Sequence, residues 1–195
     1  MNNLKKTFQT TKTYIAERSD LFVGIGVVAG LVAIVGIIAL AVQLSGPRIV
    51  YQPAKACELL SPAKAQDLLG DQVYSVDTNN PTIADNVATS KCAYTDRNQN
   101  TDLMKIAAVA VRSGINDEGD TKNKAEFAQA KRTVAGVQDV KNIGDSAFFN
   151  PSNGQLNILT GHMWLIANYG LASSAEANTL EKATELAHKV LPSLK

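Results

Sequence analysis

The pattern of apolar and polar positions separates one long apolar run from a mixed remainder. Residues 21–44 read LFVGIGVVAGLVAIVGIIALAVQL and carry no charge. As an α-helix this run is about 36 Å long, more than the roughly 30 Å hydrocarbon core of a bilayer. A lone span in lipid must satisfy its own backbone hydrogen bonds, so the run is predicted to be a transmembrane helix. The predicted organisation is a cytoplasmic tail over 1–20, the helix over 21–44, a stalk over 45–56 and a domain over 57–195.

Shorter segments of the remainder follow the repeats of strands and helices. Helices are predicted from Ser61-Pro62, over 122–134, and from the capping-box pattern Ser173-x-x-Glu176. Strands are predicted over 73–76 and 91–95, and as a meander over 147–149, 156–160 and 163–169. A longer strand is predicted over 103–112, with a helix as the alternative because the segment is rich in Ala. Loops are predicted over 77–88 and 116–120. Strands and helices mixed without regular βαβ alternation indicate an α+β domain with a largely antiparallel sheet packed by helices.

The charges that flank the apolar run predict its orientation. Four cations precede it, at Lys5, Lys6, Lys12 and Arg18. Only Arg48 and Lys55 follow closely, so we expect a cytoplasmic N-terminus and an extracytoplasmic domain on a single-pass signal anchor of the cell membrane. The alternative is a cleaved signal peptide, since Ala39-Leu40-Ala41 resembles an A-x-A cleavage site. The run is longer than the usual signal-peptide core of about 7–15 residues, which favours the anchor.

Small residues within the run suggest one contact and one false motif. Gly26, Gly30 and Ala33 share a helix face that would allow two helices to approach closely, so a homodimer through this face is a hypothesis. Residues 24–29 match the dinucleotide fingerprint G-x-G-x-x-A, but they lie in an apolar run of membrane length. The acidic residue expected about 20 positions later is also missing, so no nucleotide cofactor is predicted.

Charge and composition narrow the partners of the domain. Residues 46–195 hold 15 Lys and Arg against 16 Asp and Glu. Without a basic stripe, nucleic acid is disfavoured as a partner. The expected partners are the membrane and a protein, peptide, glycan or lipid of the cell envelope. No metal site or other cofactor is predicted.

The chain has two cysteines, Cys57 and Cys92, and both lie in the domain. In an oxidising compartment an even count favours one disulfide, with two free buried thiols as the alternative. A bridge would close a loop that stabilises the domain by about 3–4 kcal/mol.

Aromatic side chains concentrate in the predicted meander. About half of them should face inward, because side chains alternate along a strand. Those on the outer face could line a groove for a ligand, and the candidate residues are Trp164, Phe149, Tyr169 and His162.

The sequence supports a catalytic site less well than a binding site. His162 could join Asp145 and Ser146 in a triad, but Ser146 lacks the G-x-S-x-G context. The favoured hypothesis is therefore a membrane-anchored, non-catalytic binding or interaction domain of the cell envelope. The alternatives are a structural subunit of an envelope or secretion assembly and an exported hydrolase.

Four short segments together resemble a known family. They are CELLSP at 57–62, CAY at 92–94, IGDSAFF at 143–149 and GHMWL at 161–165. In this order they resemble small secreted lipoproteins of actinobacteria, a family without an assigned function. The resemblance covers most of the domain, but this chain has a predicted spanning helix where those proteins carry a lipidated Cys. It implies a bacterial extracytoplasmic α+β domain with a disulfide between Cys57 and Cys92, and it implies no catalytic residues.

Overall fold

The computed structural model describes residues 48–70, 72–174 and 178–194. The predicted cytoplasmic tail, the predicted transmembrane helix and the dimer face Gly26, Gly30 and Ala33 lie outside these residues. Among the described residues, no helix combines the length and the apolar character that crossing a membrane requires. The chain divides into two units, residues 1–46 and 47–195, and the fold given below is that of the second unit.

An eight-stranded antiparallel sheet forms the centre of the domain. Its strands are β1 (Tyr74–Thr78), β2 (Thr82–Ala84), β3 (Val87–Thr95), β4 (Lys105–Gly114), β5 (Gln138–Val140), β6 (Ser146–Asn150), β7 (Gln155–Thr160) and β8 (Met163–Leu171). The order across the sheet is β1-β3-β4-β8-β7-β6-β5, and β2 also pairs with β3. Every pairing is antiparallel, which confirms the predicted α+β class with a largely antiparallel sheet.

Four helices of the described residues pack on this sheet. They are α1 (Ala56–Leu59), α2 (Pro62–Leu69), α3 (Asp117–Thr133) and α4 (Leu180–Val190), and a 3₁₀ turn follows at Leu191–Ser193. The Ser-Pro pattern predicts the start of α2 correctly, because the Ser61 hydroxyl accepts a hydrogen bond from Lys64 N at 3.4 Å. Gly70 ends this helix at φ 110°, a conformation that a residue without Cβ adopts readily.

The predicted loop over 77–88 is only partly a loop, because it contains the end of β1, all of β2 and the start of β3. A hairpin turn at Asp85 and Asn86 joins the two strands, and both residues adopt positive φ angles, 49° and 63°. Asn and Asp tolerate this left-handed conformation better than other residues with a side chain. The Asp-Asn pair is therefore the turn signal that the loop prediction missed.

The predicted loop over 116–120 is instead the beginning of α3. Asn116 is the N-cap, and its side-chain oxygen accepts a hydrogen bond from Gly119 N at 2.9 Å. The acids Asp117, Glu118 and Asp120 occupy the first turn, where negative charge is favourable beside the unpaired N–H groups. A cluster of acids thus marked a helix start rather than a solvated loop.

The last helix begins later than its capping-box pattern predicts. It starts at Leu180, where the Thr179 hydroxyl accepts from Lys182 N. The predicted cap, Ser173, instead donates a hydrogen bond to the carbonyl of Asp102 at 3.1 Å. The apolar stripe itself is confirmed, since its central members are fully buried: Ala183, Leu186, Ala187 and Val190.

The two faces of the sheet carry separate apolar clusters. The larger cluster joins one face to α1, α2 and α4 and includes Leu165 and Phe149. The smaller cluster lies on the other face beneath α3 and consists of Phe127, Phe148 and Trp164 with partly buried neighbours. Successive strand residues point to opposite faces, so Phe148 and Phe149 lie in different clusters.

Helix α3 approaches the sheet very closely at its first turns. A Cβ at Gly119 would stand 1.9 Å from the carbonyl oxygen of Asn86, and one at Gly114 would stand 2.4 Å from Asp120 N. The fully buried Asn123 donates to the carbonyls of Arg112 at 2.9 Å and of His162 at 3.2 Å. These contacts fix α3 against the ends of β4 and β8, beside the site described next.

Candidate functional site

Residues 48–55, which make up most of the described part of the predicted stalk, lie against the domain; Ala56 already belongs to α1. Val50 N and Tyr51 N both donate to the carbonyl of Ile115, at 2.7 and 3.0 Å. Further along, Ala54 N donates to the Ser113 hydroxyl at 3.1 Å. This entry segment is therefore held at the end of β4, and its last residues become walls of two clefts.

The first cleft, which we call the His162 cleft, has a volume of about 270 Å³. It is bounded by residues 52–55, by Glu58 and Leu59 of α1, by the start of β8, and by Ser193 and Leu194 after α4. Three parts of the chain that are distant in sequence, residues 52–59, 162–163 and 193–194, thus meet around one cavity. Its lining combines apolar side chains with groups that form hydrogen bonds.

His162 is the side chain with an uncommitted buried polar atom in this cleft. It lies in the tight turn between β7 and β8, after Gly161 at φ 53°. Its Nε2 atom is buried and has no hydrogen-bond partner in the described part of the chain. A buried polar atom of this kind costs free energy, because it has lost water without gaining a hydrogen-bond partner.

The imidazole of His162 is positioned by Tyr51 of the entry segment. The two rings are stacked, with centroids 4.8 Å apart and planes 20° apart. The Tyr51 hydroxyl donates to the Asp117 carboxylate. That hydrogen bond, together with the negative charge of Asp117, raises the pKa of Tyr51, so the phenol stays protonated and remains a donor. The imidazole is thus held in one place by the entry segment, by the turn between β7 and β8 and by α3.

The second cleft, the disulfide cleft, has a volume of about 380 Å³. It is lined by Lys55, Cys57, Glu58 and the polar run Thr78, Asn79 and Asn80 at the end of β1. The disulfide between Cys57 and Cys92 is present, as the sequence predicts, with Cα atoms 5.1 Å apart, an ordinary disulfide distance. Cys92 is 1% exposed, whereas Cys57 is half-buried and lines the cleft.

The ion pair Lys55–Glu58 lines both clefts. Lys55 Nζ lies 2.8 Å from Glu58 Oε1, and both side chains are exposed. The hydrogen bond to Glu58, and then its charge, raise the pKa of Lys55, so the ammonium stays charged.

The four residues predicted to form a ligand face do not lie together. Trp164 is buried beneath α3, and its Nε1 donates to Asn157 at 3.0 Å. Phe149 is buried on the opposite face, in the larger cluster. Tyr169 is half-buried and donates to the carbonyl of Leu68 at 2.7 Å. Of the four, only His162 lines a described cleft.

The residues considered for a catalytic triad carry other contacts. The Asp145 carboxylate accepts a hydrogen bond from Gly161 N at 2.7 Å, and Asp145 N donates to the carbonyl of Leu159. Asp145 therefore shapes the turn that presents His162. Ser146 begins β6 and pairs with Leu159 in the sheet.

Sequence reasoning found His162 but missed most of the residues around it. Lys55, Glu58, Asn79 and Asn80 carry no motif that would single them out. The one signal for the disulfide cleft was the predicted bridge at Cys57. Among the described residues, no group of three or more His, Cys, Asp or Glu side chains could hold a metal ion.

Comparisons with known proteins find no relative of this chain. No family model, no curated protein and no solved structure matches the chain. The resemblance to the actinobacterial lipoproteins stays a prediction.

Proposed function

We propose that this chain is a single-pass membrane protein of the cell envelope, whose extracytoplasmic domain binds a partner without catalysing a reaction. The apolar run 21–44 and the cations before it support the anchor and its orientation. The disulfide carries the proposal, because bridges of this kind persist in oxidising compartments and are rare in the cytosol.

The two clefts support binding as the activity of the domain. Lys55 and Glu58 line both clefts, and one cleft is also lined by His162, whose buried Nε2 has no partner among the described residues. The Asp145 carboxylate, the acid considered for a triad, is engaged by a backbone N–H. These contacts favour a site that recognises a ligand over a site that activates a nucleophile.

Two C-terminal fusions of the full chain test on which side of the membrane the domain lies. Alkaline phosphatase becomes active only outside the cytoplasm, whereas green fluorescent protein exported through the general secretion pathway stays dark. We expect an active phosphatase fusion and a dark fluorescent fusion. A matched control carries Val28→Arg and Ile34→Arg, because each arginine in the centre of a span costs about 2.5–3.5 kcal/mol of insertion free energy. A bright fluorescent fusion of the unaltered chain would contradict the proposal.

The same preparations test the anchor and the bridge. An uncleaved anchor leaves the chain at full length in the membrane fraction, whereas cleavage after Ala41 shortens it to a fragment that begins at Val42. Maleimide-polyethylene glycol added to the denatured, unreduced chain should label no thiol, and prior reduction should expose two. Labelling of both cysteines without reduction would remove the main support for the proposal.

A further inference from the structure

We propose that the domain rests on a phospholipid surface through Ile49 and Val50, whose side chains enter the interfacial region of the bilayer. This inference rests on the proposed function, because it requires the apolar run 21–44 to span that bilayer. It assigns a lipid partner to a surface of the domain that lies outside the two clefts, and it fixes which end of the sheet faces the membrane.

Ile49 and Val50 are adjacent apolar residues on the surface of the described chain. Ile49 is 48% exposed and Val50 is 58% exposed. Val50 N donates to the carbonyl of Ile115 at 2.7 Å, and the carbonyl of Arg48 accepts from Asn116 Nδ2 at 3.4 Å. These hydrogen bonds hold the backbone on both sides of Ile49 against the domain. The two apolar side chains are therefore presented at a fixed place on its surface.

The short connection to the apolar run identifies the partner of this pair. The run ends at Leu44, and residues 45–47 separate it from Arg48. The six steps from Leu44 to Val50 extend at most about 20 Å. The headgroup region of a bilayer is about 5–7 Å thick on each side. Single exposed apolar residues are common on proteins, but an exposed apolar pair on so short a connection lies within reach of lipid.

Charge does not supply the attraction at this end of the domain. Arg48 is exposed beside the pair, whereas the first turn of α3 contributes Asp117 and Glu118, and Asp145 lies in the neighbouring turn. Two further acids are paired with lysines: Asp85 with Lys122 at 3.1 Å, and Asp120 with Lys124 at 2.7 Å. The balance is negative, so these residues form no cationic patch that would attract anionic lipid. Contact must therefore come from burial of the apolar pair.

Contact through this pair orients the sheet. The hydrogen bonds to Ile115 and Asn116 place the pair where β4 ends and α3 begins. The β3–β4 loop, which contains Leu103, lies at the other end of the ten-residue strand β4, about 30 Å away. The start of α3 is therefore on the lipid side. Leu103 is 55% exposed, so it is a matched apolar residue on the side away from the membrane.

The experiment measures the depth of single fluorescent labels in the full chain. Because the two native cysteines form the bridge, an introduced cysteine is the one free thiol. Val50→Cys, Glu118→Cys and Leu103→Cys are labelled without reductant with a nitrobenzoxadiazole maleimide and placed in phosphatidylcholine nanodiscs. The quenchers are a lipid with a nitroxide near the top of its acyl chain, a lipid with a nitroxide on its headgroup, and iodide in the water. Thermal unfolding shows that each variant is folded.

We expect the acyl-chain nitroxide to quench the label at residue 50, and the headgroup nitroxide to quench the label at residue 118. Iodide should quench chiefly the label at residue 103. The double variant Ile49→Ser, Val50→Ser should lower the ratio of docked to undocked domain about tenfold, as read from headgroup quenching at residue 118, because it removes the apolar area that lipid buries. Leu103→Ser is the matched control and should leave that quenching unchanged. Partial replacement of phosphatidylcholine by phosphatidylglycerol should not strengthen it.

Three outcomes would overturn the inference. The first is a label at residue 50 that iodide quenches as strongly as the label at residue 103. The second is headgroup quenching at residue 118 that the double serine variant leaves unchanged, because the connection alone would then hold the domain near the lipid. The third is quenching that appears only with phosphatidylglycerol, because charge would then hold the domain. If the proposed anchor itself is wrong, the chain elutes apart from the nanodiscs; if only this inference is wrong, the chain stays in the discs and its labels remain open to iodide.

Discussion

Reduction of the Cys57–Cys92 bridge should destabilise the domain strongly without unfolding it. The bridge spans a sequence separation of 35 residues, for which the chain-entropy relation gives about 4 kcal/mol at 25 °C. This contribution comes from the unfolded chain, which regains conformational freedom when the loop opens. Because domains of this size are stable by about 5–15 kcal/mol, the reduced form should remain mostly folded.

The single tryptophan provides the assay. Trp164 is 7% exposed and makes an edge-to-face contact with Phe127, with ring centroids 5.7 Å apart. Its emission should shift to longer wavelength when unfolding exposes the indole to water. Urea titrations of the oxidised and the reduced chain then give the two free energies of unfolding. The expected fall in melting temperature is about 8–16 °C, at about 2–4 °C for each kcal/mol.

The controls separate the cross-link from the side chains. A Cys57→Ala, Cys92→Ala double variant should unfold at the same urea concentration with and without reductant. In the reduced chain, Cys57 should react with a thiol reagent before Cys92, which is 1% exposed. The reasoning is refuted if reduction changes the free energy of unfolding by less than about 1 kcal/mol, or if Cys92 reacts first.

Three further predictions use the same titrations. Gly119→Ala should lower the free energy of unfolding by about 2–3 kcal/mol, because the added Cβ would stand 1.9 Å from the Asn86 carbonyl oxygen. This holds although Ala is the better helix former. An unchanged urea midpoint would refute the close approach. Leu186→Ala should lower the free energy of unfolding by about 2–5 kcal/mol, because its side chain is fully buried. Leu103→Ala, at a residue 55% exposed, should lower it by less than about 0.5 kcal/mol. Similar losses for both variants would contradict the burial. Burial raises the pKa of Tyr169. The stabilisation linked to the protonated phenol is therefore complete below pH 10 and is lost as pH rises through the raised pKa. Tyr169→Phe should reduce the loss of stability between pH 8 and pH 11, as measured by urea midpoints.

Local signals predicted the elements whose residues interact with near neighbours in sequence. Ser61 caps α2, and the meander over β6, β7 and β8 follows its turn residues, with Gly154 and Gly161 both at positive φ. The start of α3 failed because Asp, Asn and Gly are common both in loops and at helix N-termini. The hydrogen bond that the side-chain oxygen of Asn116 accepts from Gly119 N distinguishes a helix start from a loop, and it is visible only in the folded chain.

The placement of the aromatic residues could not be predicted because helices cover both faces of the sheet. Alternation in β8 puts Trp164 and Leu165 on opposite sides, as period two requires. With one face solvated, one of the two would be exposed; here both are buried, since α3 covers one side and α4 the other. Periodicity gives the relative direction of side chains, whereas which face is free depends on tertiary packing.

The candidate site arises where the repeating patterns end, and this explains why the sequence located only part of it. Its walls are an extended segment before α1, a tight turn at His162 and the residues after α4. None of these has a period that reveals its neighbours. Tyr51 illustrates the point, because residue 51 reads as part of a stalk until its ring is found stacked on His162 and its hydroxyl bound to Asp117. Side chains carried by turns and extended segments on a rigid sheet are placed by contacts between distant parts of the chain, so their neighbours follow from the fold rather than from any local motif.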